Sequence, residues 1–248
     1  METAVKRASR GMTLGQHLAE ARRRILISFL AVIVFGILAF VEFNAILTFL
    51  EKPYCDLESV KRLGKACQLT AIGAVSPFSI RIKIAYYSGL LFASPVILWQ
   101  IWRFITPGLK KIERRYALSF LVAATIFFAG GCSMAFFMFN HALEFLNAIG
   151  GTGIATLYTA DSYIGLITLM MFVFGLTFEF PVILVGLQLG RIVTSRQLLK
   201  FWRYAIILIT VASAVFTPSG DPLSMMAMMI PLLAFYFLAI GVGKLAKR

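Results

Sequence analysis

Glu179 is the one carboxylate in the stretch FGLTFEFPVILVGL (174–187), and a proline follows two residues later. A charged carboxylate at the centre of a membrane helix costs about 2.5–3.5 kcal/mol on insertion scales, so such a residue usually faces a bundle interior or a wet cavity. Three roles are open to it. The protonated acid could hydrogen-bond a neighbouring helix. It could line a water-filled polar recess used by a substrate or partner helix. It could carry protons in an ion-coupled small-molecule transporter. A proton relay needs a chain of titratable groups, yet no Lys or Arg occupies the middle of any apolar run.

Two further acids stand among cations: Glu20 in HLAEARRR and Glu113 in KKIERR. Local charge balance at an exposed site is worth little. Alternatively, the two carboxylates could form forks for an incoming cationic partner, because guanidinium binds carboxylate in bidentate fashion. The sequence offers no Ser–His pair, no paired intramembrane acids and no phosphate loop, so neither an enzyme nor a cofactor is expected. His17 and His141 lie apart from the cysteines, which argues against a metal site.

The elements that position these residues follow from composition. The chain of 248 residues is 60% hydrophobic and only 14% charged, whereas soluble domains carry about 25% charged residues. Apolar runs over 25–47, 84–105, 116–140, 164–189 and 223–242 reach the ~20 residues a span requires. A sixth, 202–216, lies between two spanning neighbours. It covers only ~22 Å of a ~30 Å core, and reads as a short span that thins the bilayer or sits recessed. The expected fold is therefore an all-α integral membrane protein with six transmembrane helices in a single polytopic domain, 1–248.

Lys and Arg number six up to Arg24, five over 103–115, four over 191–203 and three in the C-terminal tail, which is 18 of the 24. The connections 140–163 and 217–222 have none, and 48–83 has six, diluted by Glu51, Asp56 and Glu58. The positive-inside bias places both termini in the cytoplasm. The net charge of +13 is then a topology signal, and no nucleic-acid partner is needed. The polar, basic start and the long run after it exclude a cleavable signal peptide as the expectation. Cys55 and Cys67 both fall in the 48–83 loop, outside, while Cys132 is in the third span. A Cys55–Cys67 disulfide is expected there and would stabilise the loop by about 3 kcal/mol, the alternative being two free thiols.

Thr13 and Gln16 read as a capping box for a short helix before the first span, with His17, Glu20 and Arg24 on one face. Pro107-Gly108 should stop the second span. Pro95, Pro181 and Pro231 should each kink a span, and the freed carbonyl should find a partner on a packed neighbour. Three kinked helices and one short one suggest a curved assembly with a recess. Residues 139–151 read as a separate short outer helix, and Asp161 or Ser162 as the cap of the fourth span.

The strings MTLGQHLAEARRRI, VSPFSIRIKI, ASPVILWQIWRFITPGLKKIERR, FEFPVIL and FTPSGDPLSMMAMMIPLL occur in this order. Together they resemble the TatC family, the receptor core of the twin-arginine protein translocase, over about residues 13–245. The resemblance implies a cup-shaped bundle of six helices in the bacterial cytoplasmic membrane. It also implies binding of Arg-Arg signal peptides on folded cargo, self-association, and assembly with the single-span subunits TatA and, where present, TatB. By the same resemblance Glu20 and Glu113 recognise the paired arginines, supported by Arg22, Arg24, Gln100, Phe104 and Arg114. Pro53 and Pro95 match prolines that shape the scaffold. Glu179 matches an acid of the concave membrane face, and Thr217, Asp221 and Met225 fall where partner helices are received. The chain departs from the pattern in several places. Ala21 replaces the usual Leu, TPSGDP carries an extra residue, Met225 replaces Gln, and the cysteine pair is not general to the family.

Overall fold

The structure, a computed structural model, describes residues 14–57, 69–105, 117–150, 158–190 and 192–245. These form nine helices among the described residues: α1 (Leu14–Val41), α2 (Phe43–Cys55), α3 (Ser76–Ile105), α4 (Ala117–Gly150), α5 (Ala160–Thr177), α6 (Phe180–Leu189), α7 (Ser195–Lys200), α8 (Trp202–Phe216) and α9 (Pro222–Leu245). Five apolar stretches are long enough to cross a membrane, the fourth running through α5 and α6, and α8 is the shorter apolar helix. Both lipid and core demand helices here, because a helix satisfies its own backbone donors and acceptors where water is absent.

The helices form an open array. α1 packs mainly on α3, α3 on α4 and α5, α6 on α9, and α8 on α9. α5 is central: Tyr163, Ile164, Ile167, Met170 and Phe174 are essentially inaccessible. Only 6% of the apolar window of α1 is buried, so the first span is a flank. It is held by close backbone approach. A Cβ placed on Gly89 would lie 2.9 Å from the Gly36 Cα, and small residues at such crossings give the van der Waals contact that associates membrane helices.

Several element ends differ from the sequence expectation, each for a physical reason. The first helix starts at Leu14 without a separate preceding helix and bends at Glu42, instead of running on to Leu47. Glu42 has φ −84° and ψ 23°, off the helical well. The capping residue Thr13 lies outside the described residues. α3 begins at Ser76 rather than at residue 84. Its polar first turns have lateral partners. Ser79 donates to Asp161 at 2.9 Å, Lys83 pairs with Asp161 at 2.6 Å, and Arg81 stacks on Phe40 and Phe43. α4 is one helix of 34 residues, about 51 Å long, so it absorbs the expected outer helix and projects beyond a ~30 Å core.

The fourth span breaks at Phe178–Glu179 into α5 and α6, with Pro181 in the first turn of α6, where its missing N–H is tolerated. Its cap is Thr159, whose hydroxyl accepts from the Ser162 amide at 3.3 Å, and not Asp161 or Ser162. Pro95 and Pro231 sit inside unbroken helices. The carbonyl that Pro95 leaves free is that of Leu91, and the Ser94 hydroxyl donates to it at 2.7 Å. The repair comes from the same helix, not from a neighbour. The Pro107-Gly108 stop lies outside the described residues.

At the end of the bundle that carries both termini, Gln188 is fully buried. Its amide donates to the Ala239 carbonyl at 2.9 Å, and it accepts from the Ser195 hydroxyl at 2.8 Å. This ties α6, α7 and α9 together. Thr194 and Gln197 form a reciprocal capping box that starts α7.

Candidate functional site

The acid of the HLAEARRR motif sits two turns into α1, beside the last turns of α3. The Glu20 Oε1 accepts from Arg24 one turn further on, through both the η nitrogen and Nε, the latter at 3.2 Å. Arg24 also reaches across to Gln100 of α3, donating to its Oε1 at 3.4 Å. The His17 ring stacks on Phe104 with centroids 4.5 Å apart and an interplanar angle of 23°. So α1 and α3 are joined at this end by one aromatic stack and one charged triad, Glu20–Arg24–Gln100.

The triad opens onto a recess of about 430 Å³ lined by Ala19, Glu20, Arg23, Arg24, Ile27, Gln100 and Arg103. Glu20 is the one acid among the described residues of this lining. Its second carboxylate oxygen, Oε2, is shielded from solvent and has no hydrogen-bond partner among the described residues. Leaving a buried charged acceptor unpaired is costly, so a donor that reaches Oε2 gains that energy back. Guanidinium is the side-chain donor best shaped to do so.

Of the residues the sequence singles out, Glu20, Arg24, Gln100 and Phe104 are brought together. Arg22 is exposed on α1 and does not line the recess. Glu113 and Arg114 lie outside the described residues. Arg23, Arg103 and His17 join the site without having been assigned to it. Arg103 was readable in hindsight, since it lies one turn after Gln100 on the same helix.

Glu179 is 6% exposed at the α5–α6 break. Its Oε1 is buried without a partner among the described residues, so this oxygen makes no structural hydrogen bond there, which was one of the three roles open to it. Thr217 and Asp221 form the α8–α9 turn. Thr217 donates its hydroxyl to the Ser213 carbonyl at 2.6 Å. Asp221, 3% exposed, accepts from the Ser224 amide at 2.7 Å and caps α9, with Gly220 at φ +62° before it. Met225 is half-buried one turn on. Cys55 is disulfide-bonded and Cys132 is free and buried; Cys67, the expected partner of Cys55, lies outside the described residues. No metal-ligand cluster occurs among the described residues.

An open array of membrane helices, with a recess at the end of the termini lined among the described residues by Glu20 and three arginines, describes a polytopic membrane protein. Which class this is follows from comparison. The chain belongs to the TatC family: residues 16–231 match the family of the Sec-independent protein translocase protein (TatC). It is 36% identical over 243 residues to the Sec-independent protein translocase protein TatC of Frankia casuarinae, covering 96% of this chain and 67% of that relative. It is 35% identical over 240 residues to TatC of Aquifex aeolicus, covering 96% and 97%. Its fold is similar to the crystal structure of the twin-arginine translocase receptor TatC in DDM, with TM-score 0.77 at 32% identity over 92% of this chain and 99% of that one. The protein is thus a multi-pass membrane component of the Sec-independent, twin-arginine protein translocase. None of these similar proteins is a small-molecule transporter, and that alternative has no support.

Proposed function

We propose that this chain is the signal-peptide receptor and assembly platform of its translocase, with the Glu20 recess as the place where the paired arginines of a cargo signal peptide are read. The observation that carries this reading is the unpartnered, shielded Oε2 of Glu20. Arg24 and Gln100 hold the carboxylate in place through Oε1, which leaves Oε2 for one incoming guanidinium. Phe104, stacked on His17, braces the wall. Glu113 would take the second guanidinium, with Arg22 and Arg114 at the rim. In this reading the chain does no catalysis, holds no cofactor or metal, and binds no nucleic acid.

The positive-inside bias supports a bacterial cytoplasmic membrane location with both termini in the cytoplasm. The recess then faces the compartment in which cargo folds. Glu179 would give a polar point on the concave face for a signal-peptide hairpin or partner helix. The turn built by Thr217 and Asp221, with Met225 below it, would present α8 and α9 to the single-span subunits TatA and TatB. Self-association and a Cys55–Cys67 disulfide complete the proposal.

The test is binding of an Arg-Arg signal peptide and its Lys-Lys counterpart to purified protein and to Glu20→Gln and Glu179→Gln variants. The reading expects the Arg-Arg peptide to win and Glu20→Gln to erase its advantage. Equal binding of both peptides, or loss of binding only in Glu179→Gln, would overturn it.

A further inference from the structure

A cleft runs between α2 and α4, away from the Glu20 recess. Its lower part is a slot of about 620 Å³ walled by Ile46 of α2, Phe92 and Pro95 of α3, and Phe128 and Ala129 of α4. Its upper part is a hollow of about 660 Å³ that carries Lys52 and Asp56 of α2 and His141 and Glu144 of α4. Phe49, Cys132, Ser133 and Met171 line both parts, so the two are continuous. Depth follows from α4, which starts at Ala117 and contributes Thr125 and Ser133 to the slot. At ~1.5 Å per residue these lie about 12 and 24 Å above that start, and His141 and Glu144 about 36 and 40 Å. Against a ~30 Å hydrocarbon core, the slot sits within the core and the charges sit at the interface opposite the termini.

The slot selects its occupant by polarity and by size. Its hydroxyl donors are spent on their own helices. Ser94 donates to the Leu91 carbonyl at 2.7 Å, Thr125 to the Leu121 carbonyl at 2.9 Å and Ser133 to the Ala129 carbonyl at 2.8 Å. A buried water needs two to four polar partners, and the slot offers it few. Phe49, Phe92, Pro95 and Ala129 on its rim are exposed, so it opens sideways, toward hydrocarbon. A partner helix ~10 Å across would fill such a volume in about 8 Å, under two turns, so no transmembrane helix is seated there. An acyl chain is thin enough to enter, and it regains the dispersion contacts that an empty slot forfeits. The hollow above holds two carboxylates and one ammonium. The Lys52 ammonium lies 5.6 Å from the Phe49 centroid, at the waist where slot and hollow meet. Neither Lys52 nor Glu144 is in an ion pair among the described residues. A head group placed there needs an anionic part for Lys52 and a cationic part for the acids. We infer that the cleft holds one zwitterionic phospholipid of the leaflet opposite the termini. One acyl chain fills the slot down to Phe128, the phosphate lies on Lys52, and the cationic end of the head group lies toward Glu144 and Asp56.

This site is separate from Glu20, so the receptor reading stands or falls independently. The experiment uses full-length protein in vesicles that carry phosphatidylethanolamine, phosphatidylcholine or phosphatidylglycerol with a photoreactive diazirine at mid-chain. Crosslinks are mapped by mass spectrometry. They should concentrate on Phe128, Cys132 and Met171 over Val211, an exposed residue of α8, and both zwitterionic lipids should exceed phosphatidylglycerol. Ala129→Trp, which puts a large ring into the slot, should lose the cleft crosslinks and keep those on α8. Should that variant not fold, Ser133→Phe at the waist carries the same test. Glu144→Lys reverses the charge balance of the hollow and should shift the preference toward phosphatidylglycerol. Crosslinks no denser in the cleft than on α8, indifference to the slot variants, or an unaltered or absent head-group preference would overturn the proposal. Loss of the cleft crosslinks on adding an Arg-Arg signal peptide would assign the slot to the peptide and overturn it as well.

Discussion

At the residue scale the scarce acids divide by what already holds them. Asp161 has Ser79 and Lys83, and Asp221 has the first turn of α9 and Ser219. Both acids are used in building the fold. Glu20 is held on one oxygen, and the other is shielded with no partner among the described residues. A charge-assisted hydrogen bond is worth about 1.5–3 kcal/mol, so Glu20→Gln should weaken Arg-Arg peptide binding about ten- to a hundredfold, as measured by titration of labelled peptide. Gln100→Ala should cost less, because Arg24 keeps its bonds to Glu20. The importance of Glu20, Arg24, Gln100 and Phe104 was legible from motif resemblance and from the spacing on α1. The roles of His17 and Arg23 were not, because periodicity says which residues share a face but not which neighbouring helix that face meets. Glu179 was legible as an ionisable group within a span, and the disturbed helix beside it was legible from Pro181; the full break at Phe178–Glu179 is more than the expected kink.

At the element scale the molecule is tied by a few close crossings and buried polar bonds. Gly89→Leu places a side chain where Gly36 backbone atoms already lie 2.9 Å from the first carbon. Backbone cannot yield as a side-chain tip can, so a loss of about 1–3 kcal/mol or more is expected, read as a lower unfolding temperature in detergent. Gly130→Ala on α4 meets nothing within 4 Å and should be neutral. Gln188→Leu removes both bonds that join α6, α7 and α9. The expected loss is about 1–3 kcal/mol, with faster amide exchange in α7 as its local sign. Existence and order of the spans were legible because twenty-residue apolar runs leave no alternative to a helix in lipid. The ends were not. Ser76 begins α3 early only because Asp161 and the Phe40–Phe43 pair, remote in sequence, absorb its polar residues. α4 runs past Asn140 because nothing in FNHALEFLNAI stops a helix, and leaving the bilayer does not require one to end.

At the scale of the whole molecule, the array leaves α1 and α8 as opposite flanks, each packed mainly on one neighbour. Tyr204, Ile207, Leu208, Val211 and Val215 of α8 and Met226 and Ile230 of α9 are exposed, as befits helices facing lipid or partner helices. At the end opposite the termini Cys55 is already oxidised. If Cys67 is its partner, Cys55→Ser and Cys67→Ser should lower stability equally, by about 3 kcal/mol, and the double variant should lose no more. Unequal losses would point to another pairing. Of the three prolines from which a curved shape was expected, Pro181 lies at the helix break, and Pro95 and Pro231 sit inside unbroken helices.

Reading of paired arginines at the Glu20 recess is the proposal on which the other functional assignments depend. The direct measurement is site-specific photocrosslinking in native vesicles from Ala19 and Ile27, which line that recess without contributing its charges, to a signal peptide. Crosslinks at residues flanking the Arg-Arg pair are predicted, and they should disappear with a Lys-Lys peptide or with Glu20→Gln. Equal crosslinking of the Lys-Lys peptide, or none from either position while a probe at Phe137 on α4 captures the same peptide, would contradict it.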